Sequence, residues 1–198
     1  MAPVVVVSAY LCLFLAGELA TRRWRISPEL TRQYIHLLSG LAAFVFAIWL
    51  TREELIGLSL LFLLGLLISK RLSLLRSIHR VRRATWGELF FPVGVALAAL
   101  LYLPHSPQLY SLSVLIMALS DPLANLIGSQ FARRRLLFGK SLVGSAVFFA
   151  CTLVLSLFFL QPVPAVLVTA LATLVEALSP FGSDNLTIIP TVALAALL

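Results

Sequence analysis

Ser113-Val114-Leu115-Ile116-Met117-Ala118-Leu119-Ser120-Asp121-Pro122-Leu123-Ala124-Asn125-Leu126-Ile127-Gly128, followed at once by Ser129-Gln130-Phe131-Ala132-Arg133-Arg134-Arg135, decides how the chain is built. The apolar run from about 108 to 128 is long enough to cross a hydrocarbon core, which needs about 20 such residues. The three arginines that close it mark an end held at the cytoplasmic face. Working outward, similar apolar runs fall at about 3–20, 34–50, 54–69, 86–103, 141–160, 163–178 and 187–198. The last is short for a full crossing. With 61% hydrophobic residues and a mean hydropathy of +1.04, the chain reads as all-α, a polytopic transmembrane bundle of seven or eight helices.

The connections between these runs are strongly asymmetric. The first carries Arg22, Arg23, Arg25 and Arg32; the third carries Lys70, Arg71, Arg76, Arg80, Arg82 and Arg83; the fifth carries Arg133, Arg134, Arg135 and Lys140. Fourteen of the 15 cationic side chains therefore lie in odd-numbered connections, and only Arg52 lies in an even one. The positive-inside rule puts those connections in the cytoplasm and the amino terminus outside. The carboxylates follow the same bias. Glu18, Glu88, Asp121 and Glu176 sit within or at the edge of apolar runs, toward their cytoplasmic ends, and Glu29 and Asp184 lie in cytoplasmic connections. A carboxylate at membrane depth is costly unless it is paired, binds a metal or faces water, so four at one level point to a shared polar cavity.

At 198 residues the chain is one integral-membrane catalytic domain, residues 1–198, with no room for a separate soluble domain. The formal charge of +7 is confined to short juxtamembrane connections, where topology and anionic headgroups account for it, so nucleic acid is not an expected partner. Cys12 and Cys151 lie in apolar runs with neither disulfide nor metal-ligand spacing. The first run lacks a basic region before it and reads as a membrane helix rather than a signal peptide. No targeting segment is evident, which favours the plasma (inner) membrane of a prokaryote.

Asp121, Asn125 and Gly128 are spaced i, i+4, i+7 and share one helix face. Pro122 removes a backbone hydrogen bond and is expected to kink or interrupt the helix, which at membrane depth is tolerated where the freed groups are buried in protein or line a cavity. Asp121 is thus a candidate Mg²⁺ ligand, since that ion is held by one or two carboxylates plus substrate phosphates. Downstream, Phe138-Gly139-Lys140-Ser141 opens the next helix with its amino terminus toward the cytoplasm, where backbone N–H groups favour an anion. Lys140 and Ser141 are candidate phosphate ligands there, although no P-loop glycine precedes them. Arg133, Arg134 and Arg135 read equally as phosphate ligands or as topology anchors.

Arg32, His36 and Gly40, at i, i+4, i+8, open the second run; His36 is either a contact to phosphate or headgroup, or a structural histidine. Glu88 is either a supporting group or a charge favoured at a helix amino terminus. Glu18 pairs with Arg22 at i, i+4 on the simplest reading. Near the end, Pro180 and Gly182 close one helix, and Ser183 or Asp184 caps the next. Capping leaves Glu176 and Asn185 unexplained, so Glu176, Asp184 and Asn185 join the candidate site. Leu72, Leu75, Ile78 and Val81 recur every three residues among basic side chains, the pattern of a short interfacial helix on anionic lipid.

Taken in order, Arg32…His36…Gly40, Thr85-x-Gly87-Glu88 with Phe91-Pro92-x-Gly94, Asp121-Pro122-x-Ala124…Gly128, Lys140-Ser141-x-x-Gly144-Ser145 and Glu176-Ala177-x-Ser179-Pro180…Asp184-Asn185-x-x-x-x-Pro190 resemble the polyprenol kinase family. That family includes dolichol kinase, phytol kinase and the CTP-dependent diacylglycerol kinases; the likeness to CDP-diacylglycerol synthases is more distant. The chain departs from the family pattern in having Gly128-Ser129-Gln130-Phe131-Ala132 where a Gly-Arg-Arg-Phe-Gly-like run is common, and Val143 where Glu is usual.

The resemblance implies a membrane-embedded kinase that moves the terminal phosphate of a nucleoside triphosphate, CTP favoured, to a membrane lipid alcohol at the cytoplasmic face. On that reading Asp121, Lys140 and Asp184 are catalytic, and Asp121, Glu176 and Asp184 hold Mg²⁺. Asn125, Gly128, Arg133, Arg134, Arg135, Ser141, Gly144 and Asn185 bind nucleotide or phosphate, with Arg32, His36 and Glu88 in supporting roles. The competing readings are a CTP-dependent phosphatidate cytidylyltransferase, an inactive relative, and a transporter. The one-sided layer of carboxylates counts against the last, because transporter sites lie near the midplane.

Overall fold

The computed structural model describes residues 2–79, 85–103, 105–131 and 136–196, and among these every regular element is helical. The long helices are α1 (Ala2–Arg23), α2 (Pro28–Phe46), α3 (Arg52–Arg71), α5 (Gly87–Tyr102), α6 (Pro107–Leu115) continuing through a π turn (Ile116–Ser120) into α7 (Asp121–Phe131), α8 (Leu142–Phe159), α9 (Pro162–Leu178) and α10 (Asp184–Ala196). A single turn, α4 (Arg76–His79), follows α3, and a 3₁₀ turn (Leu137–Gly139) precedes α8. Each apolar run of the sequence corresponds to one of these rods. Among the described residues, three helices are long and apolar enough to cross a membrane: α1, the continuous Pro107–Phe131 rod, and α8. α5 and α9 are apolar but shorter, and α10 has only 13 residues.

The helix starts follow local chemistry. Ser27 accepts a hydrogen bond from the Leu30 N–H, with Pro28 at the first helical position, where its missing donor costs nothing. Thr51 and Glu54 form a reciprocal capping box at α3. Ser106 caps the helix opened by Pro107, and Ser141 accepts from the Gly144 N–H at the start of α8.

The continuous rod Pro107–Phe131 is the spine of the molecule. Leu112, Val114, Ile116, Met117 and Ala118 are completely buried in it. One side of the core gathers Leu112, Ile116, Phe148, Val168, Ile188 and Val192 from α6, α8, α9 and α10; another packs Val95, Ala98 and Ala99 of α5 with Leu55, Tyr110 and Ile189. Tyr102 of α5 donates to the carbonyl of Ile189, tying α10 to α5.

Pro122 does not break the rod. The irregularity lies just before it, where the Asp121 N–H bonds back to the Ile116 carbonyl and opens a π turn. A proline ring crowds the preceding turn and donates no hydrogen bond, so a wider turn upstream relieves both problems. The expected interfacial helix is also corrected. Among the described residues of this stretch the helix is Arg76–His79; Ile78 is buried and packs with Ile35, Leu66 and Leu89, and Leu75 packs on the same cluster. The three-residue spacing there marks an inward face, while Leu72 and Leu74 are exposed and Val81 lies outside the described residues.

Candidate functional site

The π turn delivers Asp121 to the interior at the head of α7, where Asn125, one turn on, donates to its Oδ1 at 2.8 Å and to its backbone carbonyl at 2.9 Å. Glu176 comes from the last turn of α9 and Asp184 from the first turn of α10, on either side of the Ser179–Ser183 connection. One carboxylate oxygen from each of Asp121, Glu176 and Asp184 lies within 4.8 Å of the others, and all three side chains are buried. Residues 55 and 63 positions apart in the chain thus converge because α9 and α10 pack as a hairpin against the spine.

Lys140, just ahead of α8, reaches into this cluster. Its Nζ donates to Glu176 Oε1 and to Asp184 Oδ2, both at 2.6 Å, and the residue is only 6% exposed. Burial pulls its ammonium toward the neutral form, and the carboxylates of Asp184, Asp121 and Glu176 overcome that pull, so its pKa is raised. Lys140 is therefore charged at any physiological pH. Ser145, one turn into α8, donates to Glu176 Oε2 at 3.2 Å.

Among the described residues, one ammonium and Arg32, whose charge also acts on Asp121, face three carboxylates. A buried set with surplus negative charge is costly unless a cation joins it. The three carboxylates, with one oxygen each within 4.8 Å of the others, are near enough together to be shared by one ion. The donor set is all oxygen, as Mg²⁺ prefers, so the residues fit that ion.

A cleft of about 450 Å³ opens beside the cluster. Arg32 and Gln33 of α2 line it, with Asn125 and Gly128 of α7 opposite, and Lys140 and Glu176 at its inner end. Gly128 and Gly144 make the α7–α8 crossing close: a Cβ on Gly128 would meet the Ser141 hydroxyl and lie 3.0 Å from the Gly144 Cα. These glycines are packing residues that also face the cleft.

Each expected site residue can now be placed. Asp121, Glu176, Asp184 and Lys140 come together. Asn125, Gly128, Ser141 and Gly144 line the adjoining cleft, with Ser141 also serving as the α8 cap. His36 Nδ1 stands 4.0 Å from Asp121 Oδ2, and its ring meets Phe91 edge-on with centroids 4.6 Å apart. Asn185 faces away from the cluster, its amide donating to the Gly87 carbonyl at 3.4 Å. Arg133, Arg134 and Arg135 lie outside the described residues.

Glu88 belongs to a different group. Lys70 donates to its Oε1 at 2.8 Å and lies over the Trp86 ring, while His79 Nδ1 is 3.6 Å away. Glu18 likewise has its own partners, Arg22 at 2.5 Å and the Ser77 N–H at 3.0 Å. Sequence reasoning found the Glu18–Arg22 pair from its i, i+4 spacing. It missed Lys70 and His79, because a contact 18 residues away across two helices leaves no local signature.

No family model and no solved structure matches the chain at a significant level. The chain is 29% identical over 189 residues to the phytol kinase of Synechocystis sp., a match that covers 88% of this chain and 81% of that protein. The chain is thus similar, over most of its length, to a phytol kinase.

Proposed function

We propose that the protein is an integral-membrane kinase that transfers the terminal phosphoryl group of a nucleoside triphosphate, CTP favoured, to the hydroxyl of a lipid alcohol. The observation that carries this reading is the buried cluster Asp121–Glu176–Asp184 around Lys140 at the inner end of a polar cleft. A triphosphate that arrives with a divalent cation suits such a cleft, because the cation answers the carboxylates while Lys140 and Arg32 answer the phosphate oxygens, and phosphoryl transfer is catalysed mainly by positioning and charge stabilisation. The homology to a phytol kinase favours an isoprenoid alcohol or diacylglycerol as acceptor. The clustering of Lys and Arg in odd-numbered connections supports a site at the cytoplasmic face.

Asp121, Glu176 and Asp184 would hold Mg²⁺. When bound, that ion supplies positive charge to the phosphate oxygens. Lys140 holds two of the carboxylates in place and neutralises charge developing on the transferred group. Asn125 fixes the rotamer of Asp121 through its amide. Gln33 and Arg32 on the opposite wall orient the polyphosphate. In the transfer itself the alcohol oxygen bonds to the terminal phosphorus as the bond to the bridging oxygen breaks. The nucleoside diphosphate leaves with that electron pair, and the hydroxyl proton passes to a neighbouring carboxylate or to His36.

The test is incubation of the purified protein with Mg²⁺, γ-labelled CTP or ATP, and a panel of diacylglycerol, phytol and polyprenols. Label in one lipid, with release of the nucleoside diphosphate, is the expected result. Pyrophosphate release with CMP left on phosphatidate would establish a cytidylyltransferase instead. Failure to bind any nucleotide would establish an inactive relative.

A further inference from the structure

A second cavity, of about 70 Å³, lies on the other side of α2 from the polar cleft. Its walls are apolar and largely aromatic: Tyr10 and Phe14 of α1, Phe62 and Leu66 of α3, and Phe91 and Val95 of α5. At one end the lining changes to Arg32, His36 and Glu88. Arg32 faces both this cavity and the polar cleft, and His36 reaches toward Asp121 from the same helix turn. The two spaces share a wall, and that wall is one turn of α2.

Buried at the polar end, His36 Nε2 and Glu88 Oε2 have no hydrogen-bond partner among the described residues, and neither has His79 Nδ1, 3.6 Å from Glu88 Oε1. The Glu88 side chain is only 6% exposed, and its other oxygen is already committed to Lys70. An orphaned buried carboxylate oxygen carries a substantial desolvation cost, and native structures rarely leave one without a function. It requires a donor. An alcohol supplies one O–H donor and one oxygen acceptor on a hydrocarbon body, which matches two orphaned polar atoms at the mouth of an apolar chamber.

The geometry points to this cavity as the binding site for the hydroxyl end of the acceptor lipid, with the hydroxyl between His36 and Glu88 and the first hydrocarbon segment among the aromatic side chains. This inference rests on the lipid-alcohol reading above and adds the residues and the length of chain that are recognised. A water-sized group needs about 10–15 Å³ of such volume, so 70 Å³ holds roughly five methylene-sized groups. That is about one isoprene unit. The remainder of the tail leaves between α1 and α3, which touch each other only lightly and present exposed Leu11, Leu15, Leu60 and Leu64 on their outer faces. Selectivity among alcohols is accordingly set within the first five or so carbons, and tail length beyond them matters little.

The experiment uses the full chain in lipid nanodiscs and two photoreactive prenols, one with a diazirine within the first five carbons and one with it near the far end. Mass spectrometry of the irradiated protein is expected to find the first probe on Tyr10, Phe62 or Phe91, protected by excess unmodified prenol, and the second probe outside this cavity. First-probe labelling confined to α8 or α9 overturns the inference. In parallel, Ser59→Phe places five more heavy atoms into the lining of a space of about that size; Ser59 is buried and is not among the residues that line the polar cleft. The KM for the lipid alcohol is expected to rise at least tenfold while the nucleotide KM stays within twofold. An unchanged lipid KM in that variant, with nucleotide binding intact as proof of folding, also overturns it. If wild-type protein phosphorylates no alcohol, the kinase reading fails, and the labelling pattern still decides whether the cavity binds one. Should Ser59→Phe not fold, labelling of the wild type stands alone as the test.

Discussion

Two groups of carboxylates lie in this molecule, and they are built on opposite principles. On the α1–α5 side, each acid has its own cation: Glu18 pairs with Arg22, and Glu88 pairs with Lys70 while His79 stands close by. On the α7–α10 side, Asp121, Glu176 and Asp184 gather around the single ammonium of Lys140. The first arrangement is near electrical balance, and what its unpartnered oxygen, Glu88 Oε2, lacks is a neutral donor. The second sets three buried carboxylates against fewer cations among the described residues, a costly state that a bound cation or a proton relieves. Burial alone therefore does not single out a group of acids. Burial with unbalanced charge does.

The sharpest way to break the comparison is Asp121→Asn, which keeps the size and the Asn125 neighbour but removes one charge from the unbalanced group. Lipid phosphorylation is expected to fall by about 10³-fold or more, with an unchanged elution profile and helical circular dichroism. Retained activity would remove the cluster from the mechanism. Next comes Lys140→Met, which leaves Glu176 and Asp184 without their shared partner. A buried pair broken on one side costs about 3–5 kcal/mol, read as a lowered unfolding midpoint without added metal. Added Mg²⁺ or Mn²⁺ is expected to restore part of that loss, whereas the wild type gains less; an equal response in both proteins would contradict a shared cation site.

A smaller effect is expected in the balanced group. Glu18→Gln removes the charge partner of Arg22 and weakens the bond from the Ser77 N–H, at a cost of about 1–3 kcal/mol in stability. Nucleotide affinity is expected to stay within twofold, measured by equilibrium binding. The smallest concerns Thr51→Ala, remote from both groups, which removes one half of the α3 capping box and should cost about 1 kcal/mol with no change in kcat or KM.

The helices were legible because a bilayer-scale hydrophobic period is a strong signal, and the candidate carboxylates because acids inside apolar runs are rare. Asp121, Glu176 and Asp184 needed no contact map to be singled out. Lys140 was identified from its place before α8, but its role there was read as a phosphate ligand at a helix terminus. In the structure it is buried between two acids that lie 36 and 44 residues later, and no local spacing encodes such a contact. The same limit hid Lys70 and His79 beside Glu88. The Leu72–Val81 pattern failed for another reason: a three-residue period identifies an apolar face but not whether lipid or protein covers it, and Ile78 turned out to face protein.

The π turn ahead of Pro122 has a consequence for how one rod serves two neighbours. A regular helix repeats every 3.6 residues, so each residue advances the side chains by about 100°. The turn closed between the Asp121 N–H and the Ile116 carbonyl takes up one residue more than a regular turn, and everything after it is offset by roughly that angle. The face that α6 turns to α5 is therefore out of phase with the face that α7 turns to α8. One continuous element serves as two rods set at different phases, and the seam between them falls at Asp121.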